Sequence, residues 1–229
     1  MSQQKIVLIG AKSDLISPFK VKAISCGYEL ISITREEWDL KEINIPNELL
    51  QRICDFEPNH VLYAAGLNRI TNFKETKTKL LLETVTEHFN VNCLTFLSLI
   101  TTLKDYLDYD LTSIHAISSL YGIYGRATRL PYSISKHALE GTLKCLALEM
   151  PNTLVLGYRP GFFKTKLTDK NLSENAQKKI TDKIPANRFG EPEELSNIII
   201  HNITKPPLYC TGSCITLDGG LTAGGIFTN

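Results

Sequence analysis

The sequence predicts an α/β fold, a doubly wound parallel sheet with helices on both faces, and three observations point to it. Short apolar runs recur without the polar alternation of a half-exposed strand, so they read as strands buried on both sides. Helix-length segments separate these runs, and strand and helix alternate from end to end. The 229 residues contain nothing resembling an interdomain linker, so residues 1–229 are expected to form one domain.

In order, the first run is Lys5-Ile-Val-Leu-Ile9, closed by Gly10 and followed by a helix reaching Gly27. Tyr28-Glu-Leu-Ile-Ser-Ile33 and Val61-Leu-Tyr-Ala-Ala65 come next, then Ser113 to Ser118, Leu154 to Tyr158 and Cys214 to Leu217. Two helices, about Val91 to Leu107 and about Tyr132 to Met150, are apolar beyond a single stripe, and Pro151 stops the second. In the first, Val91, Leu94, Phe96, Leu97, Leu99, Ile100 and Leu103 wrap past the face that covers the sheet. A twofold-related copy is the simplest cover for the remainder, which predicts a homodimer or homotetramer through helices 91–107 and 132–150. Cover by the chain's own loops is the competing expectation.

Composition excludes several classes of function. Lysine and arginine total 25 against 24 acidic residues, and no basic cluster is interleaved with aromatics, so nucleic acid is not an expected partner. No apolar stretch approaches membrane-spanning length, and Met-Ser-Gln-Gln-Lys5 runs straight into a short apolar strand, so a soluble, unexported protein with no membrane partner is expected. Six scattered cysteines fit a reducing cytoplasm, and Cys210 and Cys214 lack the spacing of a zinc or thioredoxin site. No histidine pair has metal-ligand spacing, and His115 reads as a satisfied core imidazole, so no metal is expected. Asp105, Asp108 and Asp110 read as a solvated turn, since the glycine and bidentate Glu of a calcium loop are absent.

The chemistry concentrates in Pro131-Tyr-Ser-Ile-Ser-Lys136. Residues four apart share a helix face, so Lys136 brings a cation beside the Tyr132 phenol. A free tyrosine ionises only near pH ~10, and a fixed cation makes it a usable acid or base. Ser119 ends the apolar run at Ser113 and supplies a hydroxyl. Together these groups suggest proton transfer to a carbonyl oxygen.

Over nearly its whole length the sequence resembles the compact, single-domain branch of the short-chain dehydrogenase/reductase family, with a Rossmann-like fold. Ser119 thirteen residues before Tyr132, and Lys136 four after it, carry the strongest match. Asn92 in Asn90-Val-Asn92, Pro160-Gly161 with Thr165, Arg188-Phe-Gly-Glu-Pro-Glu-Glu-Leu195 and Leu217-Asp-Gly-Gly220 follow the family's order. The resemblance implies that Tyr132 donates a proton to the developing alkoxide while Lys136 lowers its pKa and holds the nicotinamide ribose. It implies that Ser119 fixes the carbonyl oxygen and that Asn92 holds a water linking Lys136 to solvent.

A nicotinamide cofactor is implied too, held by Gly10, Lys12, Ser13, Asp14 and Leu15 at a helix N-terminus, with Tyr132 and Lys136 at the ribose. The family's glycine fingerprint survives only at Gly10, Asp14 and Ile16 standing in the other two places. Asp14 is expected to cap the helix, and Ile16 to remove space for close backbone approach. Thr34 and Arg35 follow the second strand where an NAD-preferring protein places an acid, so NADP(H) is the expected cofactor, with NAD(H) the alternative. Asp39-Leu40 resembles the adenine-contacting pair, and the segment from there to Val61 is short for a normal third strand. Ala64-Ala65-Gly66 resembles the end of a motif whose two asparagines are replaced here by Tyr63 and Ala64. Pro160, Gly161, Phe163 and Thr165 are expected to flank the nicotinamide.

Residues 162–184 match the family's substrate lid and carry Lys164, Lys166, Lys170, Lys178 and Lys179, with few large apolar residues after Leu172. A small-molecule or carrier-linked carbonyl substrate, polar or anionic, is expected, and the C-terminal half is most similar to 3-oxoacyl-carrier-protein reductases. Solvent-facing lysines explain the lid equally well. A nucleotide-sensing or scaffold protein without turnover, an epimerase or dehydratase, and a purely structural oligomer stay as alternatives.

Overall fold

The computed structural model describes residues 3–166, 168 and 173–224. Six strands, β1 (Lys5–Ile9), β2 (Glu29–Ile33), β3 (His60–Tyr63), β4 (Ser113–Ile117), β5 (Leu154–Pro160) and β6 (Cys214–Leu217), form one sheet in the order β2-β1-β3-β4-β5-β6. Every pairing is parallel, with Ile9 opposite Ile33 on one side and Tyr63 on the other. The chain leaves β1 toward β2 and returns on the opposite side to β3, so a crevice opens at the carboxyl ends of β1 and β3.

The four central strands, β1, β3, β4 and β5, are buried on both faces because their alternate residues enter two different cores. Val7, Ile9, Val61, Tyr63, Ile114 and Val155 pack with α2 (Asn47–Phe56), α4 (Thr95–Tyr106) and α5 (Leu130–Glu149). Ile6, Leu8, Leu62, Leu156 and Tyr158 pack with α1 (Ser17–Ser25) and α7 (Pro192–Thr204). This two-sided burial explains the continuous apolar runs. Two further helices, α3 (Thr78–Phe89) and α6 (Glu174–Thr181), precede α4 and α7.

Several expected boundaries move. The helix expected from Val91 starts earlier, since α3, a π-helical turn at Asn90–Leu94 and α4 run on without a break. The helix expected from Tyr132 begins at Leu130, with Pro131 in its first turn, where a missing N–H costs nothing. Between Asp39 and β3 only α2 is formed, so β2 is the sheet edge and most of its residues are partly exposed. The premise for oligomerisation is also corrected. Val91, Phe96, Leu99, Ile100 and Leu103 are buried within the chain, leaving only Leu94 and Leu97 partly exposed. The exposed leucines sit instead on α3 (Leu80, Leu82), at the two ends of α5 (Leu130, Leu148) and at Leu208.

The core also holds polar groups, most of them partnered; among the described residues, the Ser133 and Ser196 hydroxyls are buried without a hydrogen-bond partner. Ser113 Oγ lies 2.8 Å from both His60 Nδ1 and His115 Nε2, and His115 Nδ1 lies 3.0 Å from the Tyr158 hydroxyl. His115 is therefore a satisfied core residue, and burial pushes its imidazole down to about 3.

Candidate active site

Two clefts adjoin at the carboxyl ends of the strands and share Ser13, Ala64, Ala65 and Gly66. The first, about 350 Å³, is lined by Gly10, Lys12, Thr34, Arg35, Asp39 and Leu40. The second, about 510 Å³, is lined by Asp14, Leu15, Ser119, Tyr132, Lys136, Pro160, Gly161, Phe163 and Thr165. All the residues named above for a cofactor face one cleft or the other, although they come from four strand ends and from α5. Lid residues 167 and 169–172, including Lys170 and Leu172, lie outside the described residues.

The catalytic candidates converge because α5 and the end of β4 pack together. Lys136 is 2 % exposed, and its Nζ donates to the Ile117 carbonyl at 2.7 Å and lies 5.9 Å from the Tyr132 ring. Burial pulls its ammonium down to about 8, while Cys93 and Glu140 pull the other way. The Tyr132 phenol is raised by burial, and a hydrogen bond with Ser119 and the charge of Arg129 pull it down. Lys136 is thus not yet what lowers the phenol; burial dominates. Ser119 Oγ accepts from Tyr121 N at 3.2 Å, which caps the short turn Leu120–Gly122 and fixes the serine at the cleft.

Asn92 is completely buried and occupies the π-helical turn, a widening of the helix often found at functional positions. Its Oδ1 accepts from Leu67 N at 2.7 Å, and its Nδ2 donates to Leu67 O at 2.9 Å and Ser135 Oγ at 2.8 Å. This clamps the segment after β3 to α5. Tyr63 supports the same turn: its hydroxyl donates to Val91 O at 2.6 Å, so the residue standing in for an asparagine braces the catalytic region by another route.

The phosphate-loop region departs from expectation in two ways. Asp14 makes no cap; its Oδ2 accepts from Lys166 N at 3.2 Å, turning the carboxylate toward the lid. Ile16 does not crowd the loop, because its side chain is fully buried with Ile6, Leu8 and Phe19. Gly10 has φ +79, and a Cβ there would lie 2.6 Å from Ala65 N and 2.8 Å from Ala64 C. The retained glycine is therefore the one that close approach to β3 requires.

On the adenosine side, Lys12 Nζ pairs with Glu36 at 2.7 Å and holds that exposed carboxyl down at about 2. Glu37 accepts from Thr34 N at 2.8 Å and pairs with Arg52 at 2.6 Å. The sequence reading missed Glu36 and Glu37 because it looked only at the two residues directly after the strand. It also missed a buried network behind Ser119. Ser118 Oγ donates to Glu140 Oε1 at 2.6 Å, and Arg159 makes a bidentate pair with Glu140 at 2.8 and 2.6 Å. The available signal was Glu140 itself, an acid four residues after Lys136 on the same buried face.

A family model described as Enoyl-(Acyl carrier protein) reductase, of the short-chain dehydrogenase type, matches residues 59–222. The chain belongs to the short-chain dehydrogenase/reductase family. Among curated relatives, the 3-oxoacyl-[acyl-carrier-protein] reductase FabG of Thermotoga maritima is 39% identical over 111 residues, 48% of this chain and 45% of that protein. A human 3-oxoacyl-[acyl-carrier-protein] reductase is 31% identical over 166 residues, 71% of this chain and 66% of that one. The chain spans about half the length of the bacterial relatives it matches, 45% and 52% for two of them. Among solved structures, a 4-hydroxyisoleucine dehydrogenase complexed with NADH superposes with a TM-score of 0.86 at 22% identity, covering 97% of this chain and 100% of that one. ElxO with NADP bound gives 0.84 at 19% identity, covering 96% and 99%. These structures share the fold of this family member.

Both shared and separate parts of the clefts suit a dinucleotide. A Cβ on Gly66 would fill the junction, 3.7 Å from Asn92 Oδ1 and from Lys136 Nζ. Its absence leaves the Lys136 ammonium within reach of a group seated there.

Proposed function

We propose that this protein is an NAD(P)-dependent oxidoreductase that interconverts a carbonyl and a secondary alcohol, with Tyr132 as the acid and base. The convergence of Ser119, Tyr132 and Lys136 in a cleft continuous with the dinucleotide-shaped crevice carries this reading. When bound, a reduced nicotinamide supplies the hydride to the carbonyl carbon. Tyr132 gives its phenolic proton to the carbonyl oxygen, and burial keeps that proton in place at neutral pH. Ser119 donates to the same oxygen and orients it. Lys136 stabilises the phenolate left behind, and Asn92 holds the wall that positions Lys136 and Gly66.

NADP(H) is the proposed cofactor, with NAD(H) the alternative. Lys12 and Arg35 line the adenosine-side cleft and suit a 2′-phosphate, and the Lys12 ammonium is shared with Glu36. The substrate is proposed to be polar or anionic; sugar derivatives and carrier-linked acyl groups both fit, and the lid lysines favour either. A reducing cytoplasm suits six cysteines that are all free. Self-association is retained as part of the proposal, now through Leu80, Leu82 and Leu148.

The deciding experiment is a carbonyl panel with NADPH and NADH, comparing wild type with Tyr132→Phe. Turnover should fall ~10²–10⁴-fold while nucleotide affinity holds, since only proton transfer is lost. Turnover unaffected by the substitution rejects the mechanism. Nucleotide binding without turnover on any carbonyl favours a sensor, a reading supported by the eroded glycine loop.

A further inference from the structure

Five of the chain's arginines have a carboxylate partner: Arg35 with Asp39, Arg52 with Glu37, Arg69 with Glu87, Arg159 with Glu140 and Arg188 with Glu194. Among the described residues, Arg126 and Arg129 have none, and both line the catalytic cleft beside Tyr132. Each is nevertheless held in place. Arg129 Nη1 donates to Asn68 Oδ1 at 2.8 Å. The Arg126 guanidinium lies 5.7 Å from the Tyr121 ring centroid and donates to its hydroxyl, and that ring meets Tyr132 edge-on at 6.0 Å.

The backbone that presents them is unusual. Arg129 N donates to Arg126 O at 3.1 Å, closing a turn in which Thr128 has φ +66. A β-branched residue in the left-handed region costs energy and persists only where its surroundings impose it. Here Thr71 N donates to Thr128 O at 2.9 Å and pins the turn from the segment beyond β3. The one carboxylate among the described lining residues, Asp14, is taken by Lys166. Among the described residues, the cleft therefore holds two neutral-partnered guanidinium groups and no competing free acid.

We infer that Arg126 and Arg129 bind a free carboxylate of the substrate, which narrows the polar or anionic class proposed above to a small oxo acid or hydroxy acid, in place of a neutral carbonyl compound, a sugar derivative or a carrier-linked thioester. The inference rests on the oxidoreductase reading for its carbonyl, and on the two arginines for its acid. Guanidinium forks match a carboxylate in two parallel hydrogen bonds, and a neutral ester or thioester offers no charge to them. Arg129 already acts on the site electrostatically, since its charge is one of those that lower the Tyr132 phenol.

The test uses the matched pair 3-oxobutanoate and methyl 3-oxobutanoate, with the N-acetylcysteamine thioester of the same acid as a third arm. In wild type, kcat/KM for the acid should exceed that for ester and thioester by ~30–100-fold, the range that charge-assisted recognition supplies. Arg126→Gln and Arg129→Gln should each collapse the acid-to-ester ratio by ~10-fold or more, and Arg129→Lys should restore part of it. Preference of wild type for ester or thioester overturns the inference, as does a ratio unchanged in both Gln variants. Either result, with Tyr132-dependent turnover of the ester, leaves the oxidoreductase reading standing. If no carbonyl is reduced, calorimetry of butanoate against methyl butanoate on nucleotide-loaded protein decides: selective butanoate binding lost in Arg129→Gln supports the inference, and equal binding of the two defeats it.

Discussion

The proton-transfer region and the phosphate loop face the same crevice, yet they tolerate sequence change very differently. Ser119, Asn92, Tyr132 and Lys136 keep the family's residue types and spacings, and all four lie in the stretch 59–222 that the family model matches. The loop at Gly10 to Ile16 lies before that stretch and keeps one glycine of three. Proton transfer needs particular atoms at particular distances, so a change of residue type removes the function. A phosphate loop needs backbone N–H groups and room, so side chains can change wherever they turn away. Asp14 turns to Lys166 and Ile16 turns into the core, while Gly10, pressed against Ala65, has nowhere to turn.

Four measurements can break or sharpen this contrast. The largest effect is expected from Gly10→Ala, whose Cβ would meet backbone at 2.6 Å from a φ of +79. Nucleotide affinity should drop by ~10-fold or more and melting temperature by several degrees, since strain of this kind costs ~1–3 kcal/mol. A variant binding nucleotide like wild type would show that the loop tolerates change even at its contact point. Next, Asn92→Ala removes three hydrogen bonds that tie Leu67 to α5, for a stability loss of ~1–3 kcal/mol. Turnover should fall more than nucleotide affinity, and equal losses in both would make Asn92 a general scaffold residue.

The third is a pH profile. In the proposed mechanism reduction needs the Tyr132 proton and the Lys136 charge; burial raises the first group and lowers the second to about 8. The rate of reduction in the ligand-free enzyme's profile, kcat/KM, should therefore hold through neutral pH and fall as pH rises through about 8, where Lys136 loses its charge. A profile flat to pH 10 would remove Lys136 from the proton step. The smallest effect belongs to Asp14→Asn. Its carboxylate is partly exposed and lies 3.9 Å from Lys166 Nζ, so nucleotide affinity should change by less than about threefold. A tenfold gain would mean that the acid repels phosphate after all, and that the loop is impaired rather than adapted.

Legibility in the sequence followed the same division. The strands could be read because burial on both faces writes continuous apolar runs, and the ends moved by only one or two residues. The proposed catalytic set could be nominated because helix periodicity links Tyr132 to Lys136 and chain order links Ser119 to both, and the structure brings the three to one cleft. The helix at 91–107 was harder to read, since most of its wide apolar surface is covered within the chain by α5 and the sheet. Asp14 misled: a helix-capping residue type at the right place was drawn away by a backbone N–H from a segment 152 positions later.

By itself, the sequence determined the layered α/β architecture and the places of its strands along the chain, and it nominated the residues proposed for proton transfer, because burial period and helix pitch are local properties of the chain. Tertiary structure alone decided which side chains meet across the crevice. It gave Asp14 to the lid, Lys12 to Glu36 and Glu140 to Arg159, and left Arg126 and Arg129 without an acid among the described residues. Charged groups choose partners by distance in space, and residues far apart along the chain become neighbours only when the sheet folds.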